Sequence, residues 1–317
     1  MKKYININDV DNLDLIVQEA LAIKKAPFSN NKLGTNKVLG MLFFNPSLRT
    51  RLSTQKAAIN LGMDVMVINF KSDSWTLEFA DGTIMNAGKS EHIKEAAQVI
   101  SQYCDIIAIR AFALLESKEQ DYAEEVLSGF EKYASVPIVN MESATAHPLQ
   151  GLTDTITIKE YSKNPKPKVV LTWAPHLKPL PHAVSNSFIN YASEVDCDFV
   201  LSCPEGYELD AALDRSITIM HNQEKAFEDA DFVYAKSWAS NIDYGKLTET
   251  DKDWQVTAKK MGLTNNGKFM HCLPVRRNVV VEDEVLDSEH SIVIQQANNR
   301  TYAAQVVLKR ILENLES

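Results

Sequence analysis

The chain has 317 residues, 45% of them hydrophobic, which supplies a substantial core for each of two ordinary domains and excludes a disordered chain or a disulfide-stapled scaffold. A formal charge of -9 excludes a general nucleic-acid surface, although a few arginines gathered in one pocket can still hold a small anion inside an acidic protein. Cys104, Cys197, Cys203 and Cys272 include no C-x-x-C pair of the kind structural zinc or thiol redox sites use, and they read as reduced thiols of a cytosolic protein.

The opening MKKYININDVDNLDLIVQEALAIKK lacks the continuous apolar core of a signal peptide, and no stretch approaches the ~20 apolar residues that span a bilayer. A soluble protein retained in the cytoplasm is expected. Asp11 or Asn12 caps a first predicted helix, whose buried face carries Leu13, Ile16, Val17, Ala20 and Leu21. Val38 to Phe44 is an apolar run of strand length, and Asn45-Pro46-Ser47 turns from it into a helix through about Leu61. Val65 to Ile68 predicts a second strand, followed by a loop with Lys71, Asp73, Trp75, Asp81 and Gly82. Glu91 to Tyr103 is helical in pattern, and Ile106 to Ile109 is a strand ending at Arg110. A helix near Tyr122 to Tyr133 precedes the strand-like Val136 to Asn140, where Pro137 argues for the strand's start or edge. The His147-Pro148-Leu149-Gln150 turn then leads to a linking helix over Thr153 to Tyr161.

The second half restarts the alternation, with strands at Val169 to Thr172, Phe199 to Leu201 and Phe232 to Ala235 and a helix over His182 to Tyr191. Trp173 to Pro181 is a proline-stiffened loop that cannot be an uninterrupted helix. Phe269 to Cys272 runs to a sharp turn at Pro274, Ile292 to Ile294 reads as a late strand, and Asn299 to Leu315 forms a terminal helix long enough to pack back on the first domain. The predicted fold class is α/β, with two domains each built on a parallel β-sheet flanked by helices. Their expected bounds are 1–150 and 151–298, with 299–317 returning to the first.

Ser47-Leu48-Arg49-Thr50-Arg51 follows a buried strand and opens a helix, so amide N–H groups, two hydroxyls and a guanidinium can converge on tetrahedral oxygens. Arg49 is the better phosphate candidate, because Arg51 points elsewhere, to a structural pair or a neighbouring subunit. The alternative is that Ser47 and Thr50 only cap a helix while both arginines are solvated. Arg110 and the His147-x-x-Gln150 pair also fall at the ends of predicted strands, where a parallel sheet gathers its active-site loops, and one anion pocket explains all three.

Phe44 to Arg51, His147-Pro148-Leu149-Gln150, His271-Cys272-Leu273-Pro274 and Asn299-Arg300 resemble, in matching order over nearly the whole chain, the carbamoyl-phosphate motifs of the aspartate and ornithine carbamoyltransferase family. The resemblance implies a carbamoyl-phosphate site of Ser47, Leu48, Arg49, Thr50, Arg110, His147, Gln150, the Cys272-Leu273 backbone and Arg300. It implies that Arg110, His147 and the Thr50 hydroxyl stabilise the tetrahedral intermediate formed when an amine attacks the carbamoyl carbon. Without the resemblance, His147 is a buried loop-stabilising histidine. Cys272 is expected to fill a small volume rather than act as a nucleophile, and neither a metal nor a cofactor is expected.

Trp238 and Ser240 match the D-x-W-x-S-M-G pattern of ornithine carbamoyltransferases, but Lys236 stands at the acidic position and Asn241-Ile242 replace Met-Gly. A carboxylate would bind a free α-ammonium, whereas a lysine suits a substrate whose acylated nitrogen leaves only the α-carboxylate charge. Trp75 and the proline-rich loop likewise resemble the acylornithine branch of the family. That resemblance implies a homotrimer in which Trp75 reaches a neighbour's donor site, and a backbone knot through the loop near residues 173 to 181. Glu142 is expected on the δ-amine side, Lys236 at the α-carboxylate, and His176, Lys178 and Arg276 at an acyl end that carries a second carboxylate. Short Ser90 leaves room for a succinyl group or, equally, caps the helix after it. The expected acceptor is N-succinylornithine, with N-acetylornithine, free ornithine and a non-catalytic phosphate-responsive binding protein as alternatives.

Overall fold

A computed structural model describes residues 1–215, 217–248 and 252–316. The chain divides into two compact units: Met1–Leu114 with Glu119–Leu149 and the chain from Arg300 onward, and Leu115–Lys118 with Gln150–Asn299. Among the described residues no helix is long and apolar enough to cross a membrane.

Through residue 142 the chain runs α1 (Leu13–Lys25), β1 (Val38–Phe43), α2 (Arg49–Asn60), β2 (Asp64–Asn69), α3 (Phe70–Asp73), β3 (Leu77–Glu78), β4 (Glu91–His92), α4 (Ile93–Tyr103), β5 (Ile106–Arg110), α5 (Lys118–Tyr122), α6 (Glu125–Tyr133) and β6 (Ile138–Glu142). The main sheet of the first unit has the order β2-β1-β5-β6, every pair parallel. Leu42, Ile107, Ile109 and Ile138 pack with Ile93, Ala96 and Ala97 of α4 and Leu127 and Phe130 of α6. Burying these strands under helices is why they read as continuous apolar runs rather than alternating ones. Gly40 lets β1 pass Cys104, since a Cβ there would stand 2.5 Å from the Cys104 Sγ.

Three local expectations are corrected. The helix expected near Tyr122 to Tyr133 is α6, which starts only at Glu125, and a separate short helix, α5, ends at Tyr122; Glu124 between them takes a left-handed φ of 52°. The cap of α4 is His92, whose side chain accepts from the Lys94 N–H, and not Ser90, whose own N–H bonds the Thr76 carbonyl. The loop after β2 contains α3 and β3, and β3 pairs in parallel with β4.

The second unit carries α7 (Pro148–Tyr161), β7 (Lys168–Trp173), α8 (Ala183–Ala192), β8 (Asp198–Ser202), α9 (Asp210–Asp214), β9 (Thr218–Met220), α10 (Gln223–Phe227), β10 (Phe232–Lys236), α11 (Ala258–Met261), β11 (Lys268–Met270) and α12 (Asp283–Leu286). Its parallel sheet has the order β11-β10-β7-β8-β9. Successive residues serve opposite faces: Val169, Leu171, Phe232 and Tyr234 pack with Phe188 and Ile189 of α8, while Val170, Val233 and Ala235 pack with Ala226 and Phe227 of α10. Ile292 to Ile294 is not a strand. The last helix, α13 (Val293–Glu316), begins there, and only Ser291 bridges to Phe269. Ile292 is buried and Ile294 is 68% exposed, whereas a strand would turn both to one face. Later in α13, Arg310 and Lys309 both bond Glu19 of α1, at 2.7 and 2.8 Å.

Candidate active site

In the first unit the candidates gather at the carboxyl ends of parallel strands. Arg110 ends β5, Glu142 ends β6, and Asn45 to Leu48 connect β1 to α2. The position before α2 is Leu48, which gives no side-chain cap, so the reading in which Ser47 and Thr50 merely cap this helix does not hold. The uncapped first-turn N–H groups and the positive end of the helix dipole suit an anion. Arg51 donates to Asn69 Oδ1 at 3.3 Å and lies over the Phe43 ring, a structural pairing, one of the two roles expected for it.

Arg110 is held from several directions. Its Nη2 lies 3.1 Å from Glu142 Oε2, its Nη1 donates to the Asn45 and Pro46 carbonyls at 3.1 and 2.5 Å, and its guanidinium stands over the Phe112 ring. The Asn45 side chain accepts from the Phe112 N–H at 2.6 Å, locking the loop after β1 to the segment after β5. Burial pushes the Arg110 pKa down, Glu142 opposes that push, and nearby Arg49 adds to it. Two positive groups near one uncapped helix start concentrate potential for a phosphate.

His147 Nε2 stands 3.5 Å from Glu142 Oε2 and 3.5 Å from Arg300 Nη2. Burial, then the charges of Arg300 and Arg110, hold its pKa well below the ordinary histidine value, so the ring is neutral. Arg300 also donates from Nη2 to the Thr50 hydroxyl at 2.7 Å. Thr50, Arg110, Glu142, His147 and Arg300 thus form one buried polar group in this unit. Trp75 is 55% exposed and gives its single N–H to Glu91 Oε2 at 2.8 Å.

In the second unit Gln150 is buried and donates from Nε2 to Asp154 Oδ1 at 2.7 Å. Leu273 has a positive φ of 57°, its N–H donates to His271 Nδ1 at 2.9 Å, and the Leu273-Pro274 bond is cis. Lys236 ends β10, is buried, and donates from Nζ to the Ser237 carbonyl at 2.8 Å. Arg276 Nε donates to His176 Nε2 at 3.1 Å, which leaves the His176 proton on Nδ1, 3.0 Å from the Lys178 carbonyl. Burial is the main cause lowering the His176 pKa, and the charges of Lys236, Arg276 and Lys178 add to it. The four groups expected at the acyl and carboxylate ends are therefore electrostatic neighbours. Asp154 and Gln296 are the residues that motif reading missed, since a lone aspartate or glutamine outside a motif reads as solvated; only the i, i+4 spacing of Gln150 and Asp154 hinted otherwise.

Residues 2–160 match the aspartate/ornithine carbamoyltransferase carbamoyl-P binding domain, and residues 181–311 match the corresponding Asp/Orn binding domain. The chain is 50% identical to N-succinylornithine carbamoyltransferase from Bacteroides fragilis, over 99% of this chain and 100% of the relative. It is 37% identical to N-acetylornithine carbamoyltransferase from Xanthomonas campestris pv. campestris, over 98% of each. Among solved structures, acetylornithine transcarbamylase complexed with acetylcitrulline superposes with a TM-score of 0.92 at 35% identity, covering 98% of this chain and 99% of that one. A variant of N-acetyl-L-ornithine transcarbamylase with one glutamate replaced by serine, complexed with carbamyl phosphate and N-succinyl-L-norvaline, superposes with a TM-score of 0.91 at 35% identity, covering 98% and 100%.

Proposed function

This chain belongs to the aspartate/ornithine carbamoyltransferase family, and from that premise we propose that it carries the carbamoyl group of carbamoyl phosphate to the δ-amine of N-succinyl-L-ornithine, giving N-succinyl-L-citrulline and phosphate. The observation that carries this acceptor is the full-length 50% identity to an N-succinylornithine carbamoyltransferase, against 37% to an N-acetylornithine enzyme.

In this reading Ser47 to Thr50 hold the phosphate, with Gln150 and the Cys272-Leu273 backbone on the carbamoyl group. The neutral δ-amine attacks the carbamoyl carbon, a C–N bond forms, and the carbonyl electrons move onto oxygen. Arg110, Arg300 and the Thr50 hydroxyl stabilise that oxygen, and collapse expels phosphate, which takes the amine proton. Neutral His147 contributes a hydrogen bond rather than a charge. Glu142 takes the δ-amine side.

Lys236 binds the α-carboxylate, exchanging the Ser237 carbonyl for it, and His176, Lys178 and Arg276 answer the second carboxylate of the succinyl group. We assign Ser90 to the acyl-facing position, where a short side chain leaves room for a succinyl group. The same reading includes a cytoplasmic homotrimer in which Trp75 reaches a neighbour's donor site, and a backbone knot at the loop Trp173 to Pro181. A mass in solution equal to one chain at assay concentration would remove the trimer.

The test compares initial rates with N-succinylornithine, N-acetylornithine and ornithine at saturating carbamoyl phosphate. The highest kcat/KM is expected with the succinyl substrate. A higher value with N-acetylornithine sinks the succinyl assignment but keeps the family reaction, and a preference for ornithine overturns the role given to Lys236.

A further inference from the structure

Asp154 lies on α7 one helical turn beyond Gln150 and is fully buried. Its Oδ1 accepts two amide N–H bonds at 2.7 Å each, one from Gln150 Nε2 and one from Gln296 Nε2. The other end of Gln296 is occupied: its Oε1 accepts the His271 backbone N–H at 2.9 Å. A backbone N–H can only donate, so the Gln296 oxygen is committed to His271 and its NH2 must turn to Asp154. Tyr234 closes the same group, its phenol pushed well above the ordinary tyrosine value by burial and then by Asp154 and Cys272.

We infer that Asp154 is a positioning residue for donor recognition: it turns the NH2 of Gln150 inward so that the Gln150 carbonyl oxygen faces the donor, and through Gln296 it fixes the backbone entering Cys272 and Leu273. A reversed Gln150 amide would set its oxygen against the Asp154 carboxyl oxygen, an acceptor facing an acceptor, and would lose the 2.7 Å bond. The outward-facing group is therefore an acceptor. It recognises a donor bearing N–H groups beside its carbonyl, the feature that separates carbamoyl phosphate from acetyl phosphate, which has a methyl group there. This inference rests on the donor role proposed for Gln150.

The experiment measures KM for carbamoyl phosphate and the competitive Ki of acetyl phosphate for the full-length wild type, Asp154→Asn, Gln150→Ala and the double variant, with folding checked by circular dichroism. Asp154→Asn should shrink the preference for carbamoyl over acetyl phosphate about 5- to 100-fold, and should add nothing on the Gln150→Ala background. Equal weakening of both phosphates, an unchanged preference, or an effect that adds fully to Gln150→Ala would overturn the inference. If Gln150→Ala itself leaves the carbamoyl phosphate KM unchanged, the donor role of Gln150 fails with it; a Gln150→Ala loss without an Asp154→Asn loss sinks this inference alone. Should Asp154→Asn not fold, the wild-type Gln150 side-chain amide, assigned by nuclear magnetic resonance from its loss in Gln150→Ala, decides the matter. Its NH2 protons should exchange slowly with or without carbamoyl phosphate, and slow exchange appearing only on donor addition would show the NH2 facing the donor.

Discussion

Arg300 and Thr50, 250 positions apart in the chain, meet through a 2.7 Å hydrogen bond from Nη2 to Oγ1, and the same Nη2 stands 3.5 Å from His147. One guanidinium nitrogen thus orients two groups proposed to face the carbamoyl oxygen. Arg300→Lys keeps a charge but not the planar guanidinium whose Nη2 reaches both. It should lower kcat/KM roughly 10- to 100-fold while Tm moves little. A double cycle with Thr50→Val, read in kcat/KM, should be non-additive; full additivity would separate the two residues.

His147 supplies an acid sensitivity whose sign follows from its burial. The folded ring resists protonation, whereas in the unfolded chain it takes a proton near its ordinary pKa of 6.5. Below that pH the unfolded state binds more protons, so stability rises with pH up to about 6.5 and is then flat with respect to this group, the slope reaching at most about 1.4 kcal/mol per pH unit. Urea midpoints at pH 5, 6 and 7 should show a shallower dependence in His147→Gln. Parallel profiles would place the acid sensitivity elsewhere.

Arg110 and Glu142 are both buried, their side chains 8% and 9% exposed, and stand 3.1 Å apart. Removing the carboxylate leaves the guanidinium buried against the Asn45 and Pro46 carbonyls and the Phe112 ring, with the like charge of Arg49 nearby. Glu142→Leu should cost about 3–5 kcal/mol of unfolding free energy, and the double change with Arg110→Met less than that single one. Chemical denaturation of the three variants is the check, and an unharmed single variant would mean that Arg110 does not depend on its partner.

At the proposed acyl end, Arg276 holds His176 at 3.1 Å beside exposed Lys178. Lys178→Ala with Arg276→Ala should reduce the succinyl-to-acetyl ratio of kcat/KM about tenfold, because exposed contacts are individually weak and two are lost together. Activity with N-acetylornithine should stay within about threefold. An unchanged ratio would move the acyl carboxylate away from these residues.

Gly40 is a packing requirement, since an added methyl would meet Cys104 Sγ at 2.5 Å and Cys104 Cβ at 3.3 Å. Gly40→Ala should cost about 1–3 kcal/mol, read as a lowered Tm, and Cys104→Ala in the same chain should return part of it. Failure of the second change to help would point to strand distortion rather than to this contact.

The strands at Val38–Phe43, Ile106–Arg110, Lys168–Trp173 and Phe232–Lys236 were legible in sequence because each is buried on both faces and must be apolar at nearly every position. Arg49 at the start of α2 and Arg110 at the end of β5 were legible because parallel strands deliver their carboxyl ends to one edge, so polar residues closing or following an apolar run declare themselves. Ile292 to Ile294 misled for the complementary reason: three β-branched residues favour a strand locally, but burying Ile292 and Val293 while placing Gln296 under His271 requires a helical turn. The bond from Arg300 to Thr50 and the sharing of Asp154 by Gln150 and Gln296 were decided only by the tertiary structure. Each depends on segments far apart in the chain arriving within 3 Å, and a buried polar side chain has the same letter as a solvated one until its partners are in place.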